Sequence, residues 1–72
     1  MFRFKRELIL PIFLSRCMTI WQLAKLAGVA YSSAERAVNG IPVSAPVVDK
    51  IARALDVNAV DFLVEPAQAY SE

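Results

Sequence analysis

Residues 19–40 read TIWQLAKLAGVAYSSAERAVNG, and the reading of this stretch decides the fold. Thr19 and Gln22 stand at capping-box spacing: the threonine side chain accepts from the third helical N–H while the glutamine reaches back to the cap. Ile20, Leu23, Ala24 and Ala27 then recur at i, i+3, i+4 and i+7, the apolar stripe of a helix ending near Ala27. Gly28 follows where the chain needs a left-handed residue to turn, and Val29 is expected to drop between the helices. A second short helix is expected over roughly Tyr31–Val38, with Ala34, Ala37 and Val38 facing inward and Asn39-Gly40 ending it. Ala24 has to be small because the second helix crosses close above it. The stretch thus reads as two short helices joined by a tight turn.

Working outward, Ile41-Pro42-Val43 is a loop, since Pro42 cannot continue a helix. Ser44 is the next expected N-cap, with Ala45 and Pro46 in the first turn, where proline is tolerated. The following helix is amphipathic: Val47, Val48, Ile51, Ala52 and Leu55 inward, Asp49, Lys50 and Arg53 outward. Asn58 is expected to cap a short fifth helix whose apolar contribution is Val60, Phe62 and Leu63. Glu65-Pro66 stops it, leaving 66–72 as a flexible tail. Upstream, Phe2 and Phe4 alternate with Arg3 and Lys5, a period of two that suits a short strand or an ordered arm. Pro11 belongs in a first turn, so the first helix is expected from about Leu10 to Cys17, with Ile12 and Phe13 inward and residues 1–9 as an arm or extension. The sum is an all-α domain over 10–65, four or five short helices around one core.

At 72 residues and 57% hydrophobic composition the chain suits one small, well-packed domain rather than disorder. Cys17 stands alone, which points to a reducing cytoplasm and a space-filling role at the end of the first helix. With no histidine, zinc would find too few ligands. The apolar run Leu8–Leu14 is too short for a membrane span, and Arg16 beside Cys17 does not suit a cleavage site. Neither a leader nor a membrane role is expected. Net charge is +1, but all eight Lys and Arg lie in residues 1–53, which carry +5, whereas residues 54–72 carry −4. Such polarity fits a body that meets phosphates and a tail that faces away.

The stretch 19–40 followed by VSAPVVDKI resembles the headpiece of lac-repressor-type regulators: an aromatic at Trp21, the AGV turn, Tyr31 opening the second helix of the unit, and the ending Arg36, Val38, Asn39. The wider layout resembles the Cro and phage-repressor (XRE) family, with a helix before the motif and IARALDVNAVDFL closing the domain. Eighteen residues precede the motif, so the compact, lambda-repressor-like domain is favoured over a lac-type headpiece. Two departures stand out. Phe13 and Val38 occupy places where XRE domains often bury an Arg–Glu pair, an exchange that can be neutral or stabilising. Ile20 replaces the glutamine that bonds a phosphate in that family, so this contact is expected to be absent.

The resemblance implies that the second helix of the unit enters the major groove, the docking for which the lambdoid repressors are a standard example. Tyr31, Ser32 and Arg36 match base-reading positions. Arg36, one turn and a residue beyond Tyr31 on the same outward face, has a fork suited to guanine O6 and N7. Glu35 could accept from cytosine N4 or pair with a cation. Thr19, Trp21, Lys25, Ser33 and Asn39 are the phosphate candidates, and Arg3, Lys5 and Arg6 could add backbone or minor-groove contacts. The alternatives are a merely solvated face for Tyr31, Ser32 and Glu35, and for Trp21 packing against the N-terminal segment.

The expected function is a sequence-specific DNA-binding transcriptional regulator, of the kind found with phages or other mobile elements. It would bind double-stranded DNA as a homodimer on paired half-sites, because one subunit carries few cations. Phe2, Phe4, Ile9 and the C-terminal helix are the candidate dimer surfaces. A protein-binding adaptor on the same scaffold, or a recombination accessory factor, are the alternatives. Paired carboxylates on a common face and a glycine-rich phosphate loop are both missing from the sequence, so an enzyme is not expected. No cofactor and no small-molecule ligand are expected either.

Overall fold

Thr19 opens the helix-turn-helix as its spacing predicts. In the computed structural model, which describes residues 1–64, the Gln22 N–H donates to Thr19 Oγ1 at 3.1 Å and the Thr19 N–H donates to Gln22 Oε1 at 2.8 Å, closing both halves of the box. Five helices lie among the described residues: α1 (Arg6–Ser15), α2 (Ile20–Ala27), α3 (Tyr31–Val38), α4 (Ala45–Leu55) and α5 (Ala59–Phe62). The all-α expectation is met. Gly28 ends α2 at φ 75° and its N–H returns to the Ala24 carbonyl, which swings the chain into α3.

One core collects all five elements. Leu23 and Ala24 from α2, Ala34, Ala37 and Val38 from α3, and Val48, Ile51 and Leu55 from α4 are buried in it. Phe13 joins Val38 there, so the expected apolar pair is in place. No side-chain N or O among the described residues is buried without a hydrogen bond. Cohesion therefore rests on apolar burial, with backbone polar groups satisfied by helices and caps.

The N-terminus departs most from expectation. α1 begins at Arg6 rather than Leu10, ends at Ser15 rather than Cys17, and runs across the expected boundary between residues 9 and 10. Pro11 therefore lies inside the helix, not in its first turn. The Pro11 ring removes the N–H that would serve the Glu7 carbonyl, but both residues are exposed, so water can satisfy that carbonyl. Phe4 and Ile9, expected as candidate dimer surfaces, are instead core residues at 1% and 0% exposure. The period-two segment makes two antiparallel bridges, Phe2 with Val43 and Phe4 with Leu63. Phe2 and Val43 exchange both backbone bonds at 2.9 and 2.7 Å, the Lys5 N–H donates to Phe62 O at 2.6 Å, and the Val64 N–H donates to Arg3 O at 2.9 Å. Residues 2–5 thus clasp the α3–α4 loop to the end of α5.

Three smaller corrections concern single residues. Val60, expected inward, is 72% exposed, because in so short a helix Phe62 and Leu63 already reach the core side. Ser44 occupies the N-cap of α4 without a side-chain bond, whereas Asn58 Oδ1 accepts from the Val60 N–H at 3.4 Å as expected. Cys17 does not fill space: it is exposed at φ 55°, a left-handed cap residue after α1. The expected tail, 66–72, lies outside the described residues.

Candidate nucleic-acid interface

Three buried residues, Ala34, Ala37 and Val38, press α3 against the core and so determine which of its residues face out. At about 100° per residue, Ser32 and Arg36 form the row opposite that buried face, with Tyr31 and Glu35 in the neighbouring row toward α2. All four are exposed. The expectation that Arg36 shares a stripe with Tyr31 needs correcting: five residues place them about 140° apart around the helix. The neighbour of Arg36 is Ser32, and Tyr31 instead pairs with Glu35 in position. Eight helical residues span about 12 Å, comparable to the width of the major groove.

Tyr31 meets Trp21 where the first turns of α2 and α3 converge. Their rings are 5.5 Å apart and tilted by 59°, an arrangement favoured by the aromatic quadrupole. Trp21 is thus not packed against the N-terminal segment; it is 70% exposed. Trp21, Lys25, Val29 and Tyr31 help line an open cleft of about 540 Å³ on this side of the unit. Thr19 stands at the start of α2 with its hydroxyl oxygen used as cap acceptor, which leaves the hydroxyl proton to donate. Lys25 is exposed one turn beyond Trp21.

The remaining phosphate candidates are less open. Ser33 and Asn39 are half-buried, and Asn39 Nδ2 donates to the Glu35 carbonyl at 2.8 Å, tying the end of α3. Arg16, counted by sequence among the cations of the basic body, has a structural role: its Nη2 donates to Leu55 O at 2.7 Å. A cation is favourable there because the unsatisfied carbonyls at the end of α4 carry partial negative charge. Sequence reasoning missed this link because the partners lie 39 residues apart. Among the described residues the one ion pair is Arg53–Asp49 on the exposed side of α4. No carboxylate among them holds Arg36 or Lys25.

The sequence model of the Cro/C1-type HTH DNA-binding domain matches residues 13–68. The chain belongs to that family. No curated protein and no solved structure gives a significant match. Among the described residues one helix lies ahead of the motif and two after it, and the chain is a DNA-binding regulator of Cro/C1 type. No single helix among the described residues is long and apolar enough to cross a membrane; α1 and α2, the apolar neighbours, meet at 95°.

Proposed function

We propose that the chain is a sequence-specific transcriptional regulator that places α3 in the major groove of double-stranded DNA and reads bases with Ser32 and Arg36. The observation that carries this reading is Arg36 itself. It is exposed on the row opposite the core, with no carboxylate partner among the described residues, on the second helix of a Cro/C1-type unit. A free guanidinium in that place suits bidentate bonding to guanine. Tyr31 and Glu35 contact bases beside it. Thr19, Trp21 and Lys25 hold the phosphate backbone from α2, with Ser33 and Asn39 contributing at the flank of α3.

One subunit presents few cations to DNA, so two copies act on paired half-sites. The setting is a cytoplasmic phage or mobile-element regulator acting at a promoter, or a related accessory role in recombination. Selection of bound duplexes from a random pool reports both the motif and the half-site spacing. Arg36→Ala is expected to cost about 1–3 kcal/mol of base discrimination while leaving the weak, salt-dependent binding to unrelated DNA in place. A sequence preference unchanged by Arg36→Ala would refute the assignment of α3 as the reading helix.

Exposed Trp21 beside an apolar-lined cleft supports a second reading, a protein-binding adaptor. A nitrogen–proton NMR titration with a short duplex separates the two. Shifts centred on α2 and α3 support DNA reading; shifts confined elsewhere support the adaptor.

A further inference from the structure

We propose that Trp21 is a positioning residue for base reading. Its ring holds the Tyr31 side chain in one orientation at the start of α3, so removing it blurs the reading at Tyr31 and leaves the reading at Arg36 intact. This rests on the placement of α3 in the major groove proposed above and deepens it, since Trp21 then acts through Tyr31 as well as on a phosphate.

The first turn of α3 is the part of that helix least held by the core. Its buried residues begin only with Ala34, a turn into the helix. Its N-cap is Ala30, whose methyl group cannot bond the first helical N–H groups. Ser32 is exposed and Tyr31 is 42% exposed. A tyrosine in a helix keeps two ordinary χ1 wells, and on an open surface packing does not choose between them. Trp21 supplies the choice. The rings lie 5.5 Å apart with a tilt of 59°. Such a contact favours one side-chain orientation by about two- to tenfold. It is the one aromatic pair among the described residues.

Trp21 is itself fixed in place. It lies in the first turn of α2 between the two ends of the capping box, so the 2.8 and 3.1 Å bonds joining Thr19 and Gln22 set its backbone. Ile20 beside it and Leu23 just beyond seat this turn on the core. The indole ring stays largely exposed. A ring that gives so little of its surface to the core adds little to stability, and its contact with Tyr31 is what its position serves.

Selection of duplexes from a random pool tests this, repeated with full-length variants that circular dichroism shows to be folded. The base read by Tyr31 is the motif position that Tyr31→Ala weakens. Trp21→Ala should weaken preference at that same position by about two- to tenfold and leave the position read by Arg36 unchanged. Trp21→Phe, which keeps an aromatic ring but lacks the indole N–H, should restore the preference. Trp21→Ala combined with Tyr31→Ala should be no worse there than Tyr31→Ala alone, since the two residues act as one unit. In NMR spectra of the free chain, the Trp21 ring protons should shift in Tyr31→Ala, because they lose the ring current of their neighbour. A Trp21 that only binds phosphate gives another pattern: Trp21→Ala and Trp21→Phe both weaken all duplexes alike and the motif is unchanged. That pattern, a Trp21→Ala loss spread evenly over the motif, or no rescue by Trp21→Phe would each overturn the positioning role. So would a Tyr31→Ala motif identical to the original, or Trp21 ring signals indifferent to Tyr31→Ala. Failure of the unaltered chain to select any motif is a different result, and it refutes the DNA reading itself.

Discussion

Removing the Phe4 ring should unfold the helix-turn-helix from a distance. Phe4 lies fifteen residues before Thr19 and outside the family match at 13–68, yet it is 1% exposed and its neighbours bond to Phe62 and Val64. Truncating a fully buried phenylalanine costs roughly 3–5 kcal/mol, the transfer free energy of the ring plus the cavity left behind. A domain of this size has about 4–10 kcal/mol of total stability. Phe4→Ala therefore removes a large share of it. At about 4–8 °C per kcal/mol for small domains, the melting temperature should fall by at least about 12 °C. Thermal melting followed by far-UV circular dichroism measures the fall, with Met1→Ser, at an 85%-exposed position, as a variant expected to melt like the original. Duplex binding should fail at the temperature where Phe4→Ala melts, because the surface of α3 exists only while its buried side is packed. A melting temperature within a few degrees of the original would refute the claim that residues 2–5 belong to the core.

The two glycines should respond unequally to alanine. Both sit at φ 75°, but a Cβ at Gly28 meets nothing within 4 Å, whereas one at Gly40 comes to 3.1 Å from Arg6 Cβ and 3.2 Å from Phe4 O. Gly28→Ala should cost about 1 kcal/mol, the penalty of the left-handed conformation, and Gly40→Ala clearly more; equal losses in urea unfolding would contradict the close approach. Cys17, held at φ 55°, should accept glycine with a gain of roughly 0.5–1 kcal/mol, and a loss in the same assay would count against that backbone conformation. Thr19→Ala removes the acceptor for the Gln22 N–H and should lower stability by about 1 kcal/mol, read from the shift in denaturation midpoint.

The helix-turn-helix was legible because every signal that forms it is local. The Thr19–Gln22 box, the apolar stripe of α2, Gly28 and the inward alanines of α3 all act within a turn or two of backbone. Their spacing dictates both the bihelical unit and which residues of α3 face out. Burial made by distant segments leaves no such mark. Phe2, Phe4 and Ile9 looked like an arm because their partners, Val43, Leu63 and the central core, are far along the chain. Pro11 seemed to require a helix start because local rules ignore that its lost bond faces water. Val60 and Cys17 were apolar by type and were expected inside, but both are exposed.

Function divides the same way. Residues 19–40 determined the bihelical unit by their spacing, and their resemblance to known DNA-binding motifs nominated Arg36. Only tertiary packing decided how the cations are distributed, drawing Arg16 to the end of α4 while leaving Arg36 and Lys25 without a carboxylate partner among the described residues. It also decided that the Trp21 ring meets Tyr31, tilted against it, instead of the N-terminal segment. Helix caps and stripes are short-range and can be read in order along the chain. What a side chain is buried against, or left free to bind, depends on which remote segment folds over it.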